Sequence, residues 1–162
     1  MSEEAIETIR IARGEALHVD HGTLRFSVWR SEIGDDGGHS IEVCRVPSSE
    51  DEPAEGLIRF DAFRNDPHYH LPSSQKQPTA VEAGYPGGGL AFAIDAIRER
   101  LPELLDRADH GEFARAAEKL PLSEIADEVR AAAERNAEPG EGVESPLTPQ
   151  MREALGMEPT AS

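Results

Sequence analysis

Three segments of alternating hydrophobicity follow one another in the first half of the chain, with no helical pattern between them. They cover residues 23–30, 39–46 and 57–64. In the first segment the apolar side chains alternate with those of Arg25, Ser27 and Trp29, which is the period of a half-buried strand. Parallel strands are normally joined through a helix, so this succession predicts an antiparallel meander.

The second half of the chain has the periodicity of helices. An apolar stripe starts at Leu90 and recurs at spacings of four, three and four residues. Pro102 is expected to kink or restart this helix and Gly111 to end it. Two shorter helices are predicted, over 112–119 and over 124–135 with Ser123 as N-cap.

Together these patterns predict an α+β fold. An antiparallel sheet of about four strands over residues 5–64 should be covered on one face by helices within 90–135. The 162 residues suit one domain, which we assign to residues 1–136. Residues 137–162 are predicted to form a linker and a short docking helix.

The predicted tail is the main sequence indication of a partner. Its first residues are rich in Gly, Pro and Glu, as in a flexible linker. Thr148 then looks like the N-cap of a helix that is too short to be stable alone. Met151 and Leu155 are therefore expected to dock on a protein partner or a second copy of the chain, with the chain's own sheet as the alternative. Trp29 is a third candidate contact, because its side of the strand is normally exposed.

The charge of the chain excludes several classes of function. Asp and Glu number 32 against 16 Lys and Arg, which gives a net charge of −16. Nucleic acid is thus an unexpected partner, since its phosphates require clustered basic side chains. No apolar run is long enough to span a membrane, and residues 1–4 are acidic where a signal peptide is basic. With its single cysteine, the chain is predicted to be cytoplasmic and to have no membrane partner.

A His-x-His pair, His68 and His70, is the strongest candidate for a metal site. An extended backbone places both imidazoles on one side, and zinc or iron is the divalent metal that such a pair suits. The pair needs at least one further ligand, for which the sequence offers Asp61, His18, Asp66 and His21. The structural alternative is that these histidines only satisfy backbone carbonyls at the end of a strand.

The same segment could instead carry acid–base chemistry. Histidine titrates near neutral pH, and a carboxylate such as that of Asp66 can orient one ring nitrogen. The candidate catalytic residues are then His68, His70 and Asp66. The glycine-rich residues 84–89 lack the Lys and Ser or Thr of a phosphate-binding loop, so no cofactor-binding motif is predicted there.

Two functional hypotheses follow from these features. The first and preferred one is a small acidic accessory subunit, without catalytic activity, that binds a larger protein through its tail and Trp29. The alternative is a small metal-dependent or acid–base enzyme centred on residues 66–70. Metal analysis together with the native mass would separate the two hypotheses.

Overall fold

The computed structural model describes residues 8–136 and 142–146, which form eight strands and three helices. The strands are β1 (Thr8–Arg13), β2 (Leu17–His21), β3 (Leu24–Ile33), β4 (Asp36–Arg45), β5 (Glu55–Phe63), β6 (His68–His70), β7 (Thr79–Ala80) and β8 (Gly142–Pro146). The helices are α1 (Gly88–Arg107), α2 (Gly111–Ala117) and α3 (Leu122–Arg135).

All strands belong to one antiparallel sheet, in the order β7-β6-β5-β4-β3-β1-β8. Strand β3 is long enough to pair with two strands along one edge. On this edge, β2 pairs with the first half of β3, and β1 pairs with the last three residues of β3. On the other edge, β4 pairs with β3 along its whole length. The predicted α+β class is thus confirmed, with its large antiparallel sheet.

The predicted number of about four strands is wrong, because short strands extend the sheet on both sides. β6 has three residues and β7 has two, which is too short for an alternating pattern to be seen. β4 also begins earlier than expected, at Asp36, because Gly34 and Asp35 alone form the turn that follows β3. β8 lies within the segment assigned as a linker, and it pairs with β1 over five residues.

The helices also differ in detail from the prediction. Pro102 does not restart the helix: α1 runs from Gly88 to Arg107 with Pro102 inside it, between the fully buried Leu101 and Leu104. Gly111 begins α2 instead of ending α1. The first hydrogen bond of α3 runs from the N–H of Ile125 to the carbonyl of Pro121. Pro121 is therefore its N-cap, and Ser123 is not.

The hydrophobic core lies between the helices and one face of the sheet. Phe26, Ile41 and Phe60 supply its sheet side, and residues such as Ile97 and Ile125 supply its helical side; none is more than 1 % exposed. The alternate residues of the same strands form the opposite face, which carries polar side chains. In the described ranges, no helix combines the length and apolar character needed to cross a membrane.

Candidate metal centre

A row of four residues crosses the sheet on the face opposite the helices. Trp29 of β3 pairs with Ser40 of β4, Ser40 with Asp61 of β5, and Asp61 with His68 of β6. Directly paired residues of neighbouring strands have their side chains on the same face. The antiparallel register therefore brings a carboxylate and an imidazole together from residues that are seven positions apart.

His70 joins this cluster because it follows His68 by two residues in an extended strand. The two imidazole centroids lie 5.2 Å apart, and His70 pairs with Arg59 of β5. Asp61, His68 and His70 are 5 %, 8 % and 7 % exposed. The cluster is therefore largely shielded from solvent.

The distances within the cluster suit a shared metal ion. Oδ2 of Asp61 lies 3.0 Å from Nε2 of His68 and 3.2 Å from Nε2 of His70, and the possible ligand atoms all lie within 4.8 Å of one another. Metal–ligand bonds of about 2.0–2.2 Å place adjacent ligand atoms about 3.0–3.5 Å apart. Both distances from Oδ2 of Asp61 fall in this range, and the two histidine nitrogens lie within 4.8 Å of each other.

Backbone carbonyls fix the other nitrogen of each ring. Nδ1 of His68 lies 2.8 Å from the carbonyl oxygen of Asp66, and Nδ1 of His70 lies 2.7 Å from that of Gln75. Since a carbonyl oxygen can only accept, each Nδ1 carries a hydrogen and donates it. In a neutral ring the lone pair is then on Nε2, which faces Asp61. This is the arrangement that metal-binding histidines commonly have.

The Nε2 atom of His70 has no hydrogen-bond partner in the described part of the chain. It lies close to Asp61 but outside hydrogen-bond geometry, whereas Nε2 of His68 is in hydrogen-bond contact with the same oxygen. A buried polar atom without a partner is costly, by about 1–3 kcal/mol. In the neutral ring this nitrogen carries an electron pair that faces Asp61.

Asp61 is held as a carboxylate by its neighbours. Burial alone would raise its pKa, but the contacts with His68 and His70 and the charge of Arg59 together hold the pKa well below its usual range. The Ser40 hydroxyl donates to Oδ1 at 2.8 Å, and Nε of Arg59 donates to Oδ2 at 3.2 Å. Asp61 is thus ionised at neutral pH, as a metal ligand must be.

A cavity of about 270 Å³ opens beside these residues. Its walls include the three cluster residues together with Arg59, Trp29 and Phe63. The three cluster residues therefore border a space that lies beside the buried site.

The structure brings together Asp61, His68 and His70, but not the other candidates. Asp66 holds His68 through its backbone carbonyl, and its half-exposed carboxylate lies 3.6 Å from Nδ1, on the far side of the ring. His18 lies on β2, with Nδ1 2.8 Å from the Ser27 hydroxyl. His21 pairs with a glutamate of α3.

Of the three residues expected at a partner surface, the structure describes only Trp29. Trp29 is 6 % exposed, and the guanidinium of Arg13 lies 4.1 Å from its ring centre. It is a wall of the cavity, and its side of the strand is not exposed as expected. Met151 and Leu155, with the predicted helix around them, lie outside the described residues.

Two residues of the site, Arg59 and Ser40, were not predicted from the sequence. Arg59 could have been found, because it lies two positions before Asp61 in an alternating strand and so shares its face. Ser40 reaches Asp61 only through the pairing of β4 with β5. Cross-strand register depends on the whole sheet, and no local signal revealed it.

Comparison with known proteins gives one match. The family profile described as Domain of unknown function (DUF7700) matches residues 18–133. No curated protein and no solved structure matches the chain. The matched range includes Asp61, His68 and His70 as well as the three helices. Because it covers more than half of the chain, the protein belongs to the family described as Domain of unknown function (DUF7700).

Proposed function

We propose that Asp61, His68 and His70 bind one divalent transition-metal ion, Zn²⁺ or Fe²⁺, and that the chain is a metal-dependent enzyme acting in the adjacent cavity. One observation carries the proposal. Two buried imidazoles have their Nδ1 atoms bound to carbonyls and their Nε2 atoms turned to one carboxylate oxygen.

A bound cation explains this arrangement better than protons do. Without a metal, both rings would have to be imidazolium ions to donate to Asp61. Two imidazolium ions and the Arg59 guanidinium would then surround a single buried carboxylate, which is unfavourable because like charges repel strongly where solvent is scarce. One metal ion instead satisfies both ring nitrogens and the carboxylate at once.

The ligand set suits a catalytic site more than a structural one. Structural zinc sites normally use four protein ligands, whereas catalytic sites use three and keep a position open for water or substrate. Two histidines and one carboxylate are also the protein ligands of many non-haem Fe²⁺ centres. The open positions would face the cavity, where a metal-bound water or a substrate could lie.

Metal titration tests this proposal. The protein is stripped of metal with a chelator and titrated with Zn²⁺ in a calorimeter, and elemental analysis is made of the protein as purified. We expect one equivalent to bind, and at least 100-fold weaker binding in Asp61→Asn, His68→Ala and His70→Ala. The control is His18→Ala, which removes an exposed histidine of the same sheet.

The outcomes distinguish Zn²⁺ binding at Asp61, His68 and His70 from non-specific Zn²⁺ binding by surface histidines. Equal loss of affinity in the His18→Ala control would show that Zn²⁺ binds elsewhere. Absence of stoichiometric metal, both as purified and after titration with Zn²⁺ and Fe²⁺, would contradict the proposal.

Acid–base catalysis is a second candidate, supported by the buried contact of 3.0 Å between His68 and Asp61. Burial lowers the pKa of His68, but the hydrogen bond and negative charge of Asp61 outweigh it and raise the pKa above its usual value. Such a pair could move a proton at neutral pH. It leaves Nε2 of His70 without a role, which is why we prefer the metal centre.

The accessory-subunit hypothesis stays a prediction. Two of its contact residues, Met151 and Leu155, lie outside the described residues, and the third, Trp29, is buried. No observation on the described residues favours it over the metal centre.

A further inference from the structure

We infer that the cavity beside the metal centre binds a small organic carboxylate, with the guanidinium of Arg59 holding its negative charge and the apolar walls holding its body. The inference rests on the proposed metal centre and adds the class of ligand. It follows from three features of the cavity: its charge, its walls and its size.

The charge of the cavity comes first from Arg59. Its Nε donates to Asp61, and its two terminal nitrogens have no hydrogen-bond partner among the described residues. The side chain is 31 % exposed and lines the cavity, so these nitrogens can reach a ligand. A guanidinium is a planar donor that matches the two oxygens of a carboxylate.

The net charge of the cavity with the metal bound also favours an anionic ligand. Arg59 and Asp61 are the only residues with a full charge among the ten that line the cavity. They cancel each other, so a divalent cation on neutral histidines leaves a local charge of about +2. The rest of the chain is strongly acidic, with a net charge of −16, and so offers few competing sites for an anion. A carboxylate bound between the metal and Arg59 would reduce the excess positive charge.

The walls distinguish a carboxylate with an apolar body from a simple oxyanion. Trp29, Ile33, Phe63 and Pro78 line the cavity beside the polar groups. Inorganic phosphate would leave these surfaces without contact, whereas an aromatic or aliphatic group would cover them. The volume of about 270 Å³ is slightly below the usual range of about 300–1,000 Å³ for small-molecule pockets, which limits the ligand to a small one.

Trp29 supplies a direct readout. It is the single tryptophan of the chain, and it lines the cavity. Its fluorescence therefore reports on the surroundings of this cavity wall. Benzoate is a suitable probe, because it joins one carboxylate to one small apolar ring, and benzamide is its neutral analogue of nearly equal shape.

The experiment has two stages on the full-length chain. Zn²⁺ is titrated into the metal-free protein first, by calorimetry. The Zn²⁺-loaded protein is then titrated with benzoate, benzamide and inorganic phosphate while Trp29 fluorescence and heat are recorded. We expect benzoate to bind at least tenfold more tightly than either benzamide or phosphate, and to bind at least tenfold more weakly to Arg59→Gln.

The Zn²⁺ stage keeps the two proposals apart. Arg59→Gln is loaded with Zn²⁺ to saturation in the first stage, so its benzoate affinity is compared with that of the parent in the same metal-bound state. Zn²⁺ uptake without preference for benzoate, or equal benzoate affinity in Arg59→Gln, would overturn the carboxylate inference alone. Failure to bind Zn²⁺ would overturn the proposed function and this inference with it.

Discussion

Ser40 and Asp61 lie opposite each other on β4 and β5, and the Ser40 hydroxyl donates a 2.8 Å hydrogen bond to Oδ1 of Asp61. Ser40 is only 2 % exposed, so solvent does not compete for this bond. The bond occupies the carboxylate oxygen that does not face the histidines. It thereby turns Oδ2 toward His68 and His70, and Ser40 acts as a positioning residue.

Replacing Ser40 should weaken metal binding without removing a ligand. Partners that orient a metal ligand commonly contribute about 10–100-fold to affinity, so we expect Ser40→Ala to bind Zn²⁺ at least tenfold more weakly. The matched control is Ser27→Ala. Ser27 is a buried serine of the same sheet face whose hydroxyl is paired with His18. Calorimetric affinities that fall equally in the two variants would indicate a general loss of stability and no positioning role.

Phe60 tests the assignment of the two sheet faces. It is 1 % exposed and its ring lies 6.1 Å from that of Tyr69 and 6.2 Å from that of Phe92, between sheet and helix α1. Deletion of a buried phenylalanine side chain costs about 3–5 kcal/mol. Phe60→Ala should therefore lower the free energy of unfolding in urea by this amount. Leu17→Ala, at a site that is 36 % exposed, should lower it much less.

The fold was predictable where the chain has long alternating segments. β3, β4 and β5 each have nine or ten residues, enough for period-two patterning to be visible. Gly37 and Gly38 lie before the alternating segment 39–46, yet they are strand residues of β4. A Cβ at Gly38 would collide with the backbone of Ala62 on β5, so close strand packing explains this glycine.

The site was predictable in its local part only. The spacing of His68 and His70 was sufficient to place both rings on one side of a strand. Choosing Asp61 over His18 required the pairing of β5 with β6, and that register comes from the sheet as a whole. The burial of Trp29 could not be read from its strand either, because its cover includes Arg13 of β1.

Cys44 should be unreactive in the folded protein. Burial, together with the nearby Glu42, raises the pKa of its thiol to about 12. The thiolate is the reactive form, so at pH 8 only about one thiol in ten thousand would be ionised. Alkylation by iodoacetamide at pH 8 should be at least 100-fold slower in the native protein than in urea.

The pH dependence of this alkylation has a definite sign. A raised pKa keeps the thiol neutral, so the native labelling rate should still climb between pH 8 and pH 11, while the rate of the unfolded chain levels off near pH 9. For the same reason the group contributes stability below pH 9 that is lost as the pH approaches 12. Native labelling as fast as that in urea would show that Cys44 is accessible.

The last prediction concerns the segment after helix α3. If residues 137–162 formed only a linker and a docking helix, their removal would leave the melting temperature nearly unchanged. However, β8 lies in this segment and pairs with β1 from Thr8 to Ala12. β3 pairs with β1 only from Ile11 onward, so β8 is the one strand seen beside residues 8–10 in the described chain.

Two truncations therefore separate the roles of the segment. Deletion of 137–162 removes β8, and we expect the melting temperature to fall by at least about 2–4 °C, which corresponds to about 1 kcal/mol in a chain of this size. Deletion of 147–162 keeps β8 and removes Met151 and Leu155, so it should melt at a higher temperature than the longer deletion. Calorimetric melting of the three proteins measures both differences. Equal melting temperatures for the two truncations would mean that β8 adds no stability to β1, and that residues 137–146 act only as a linker.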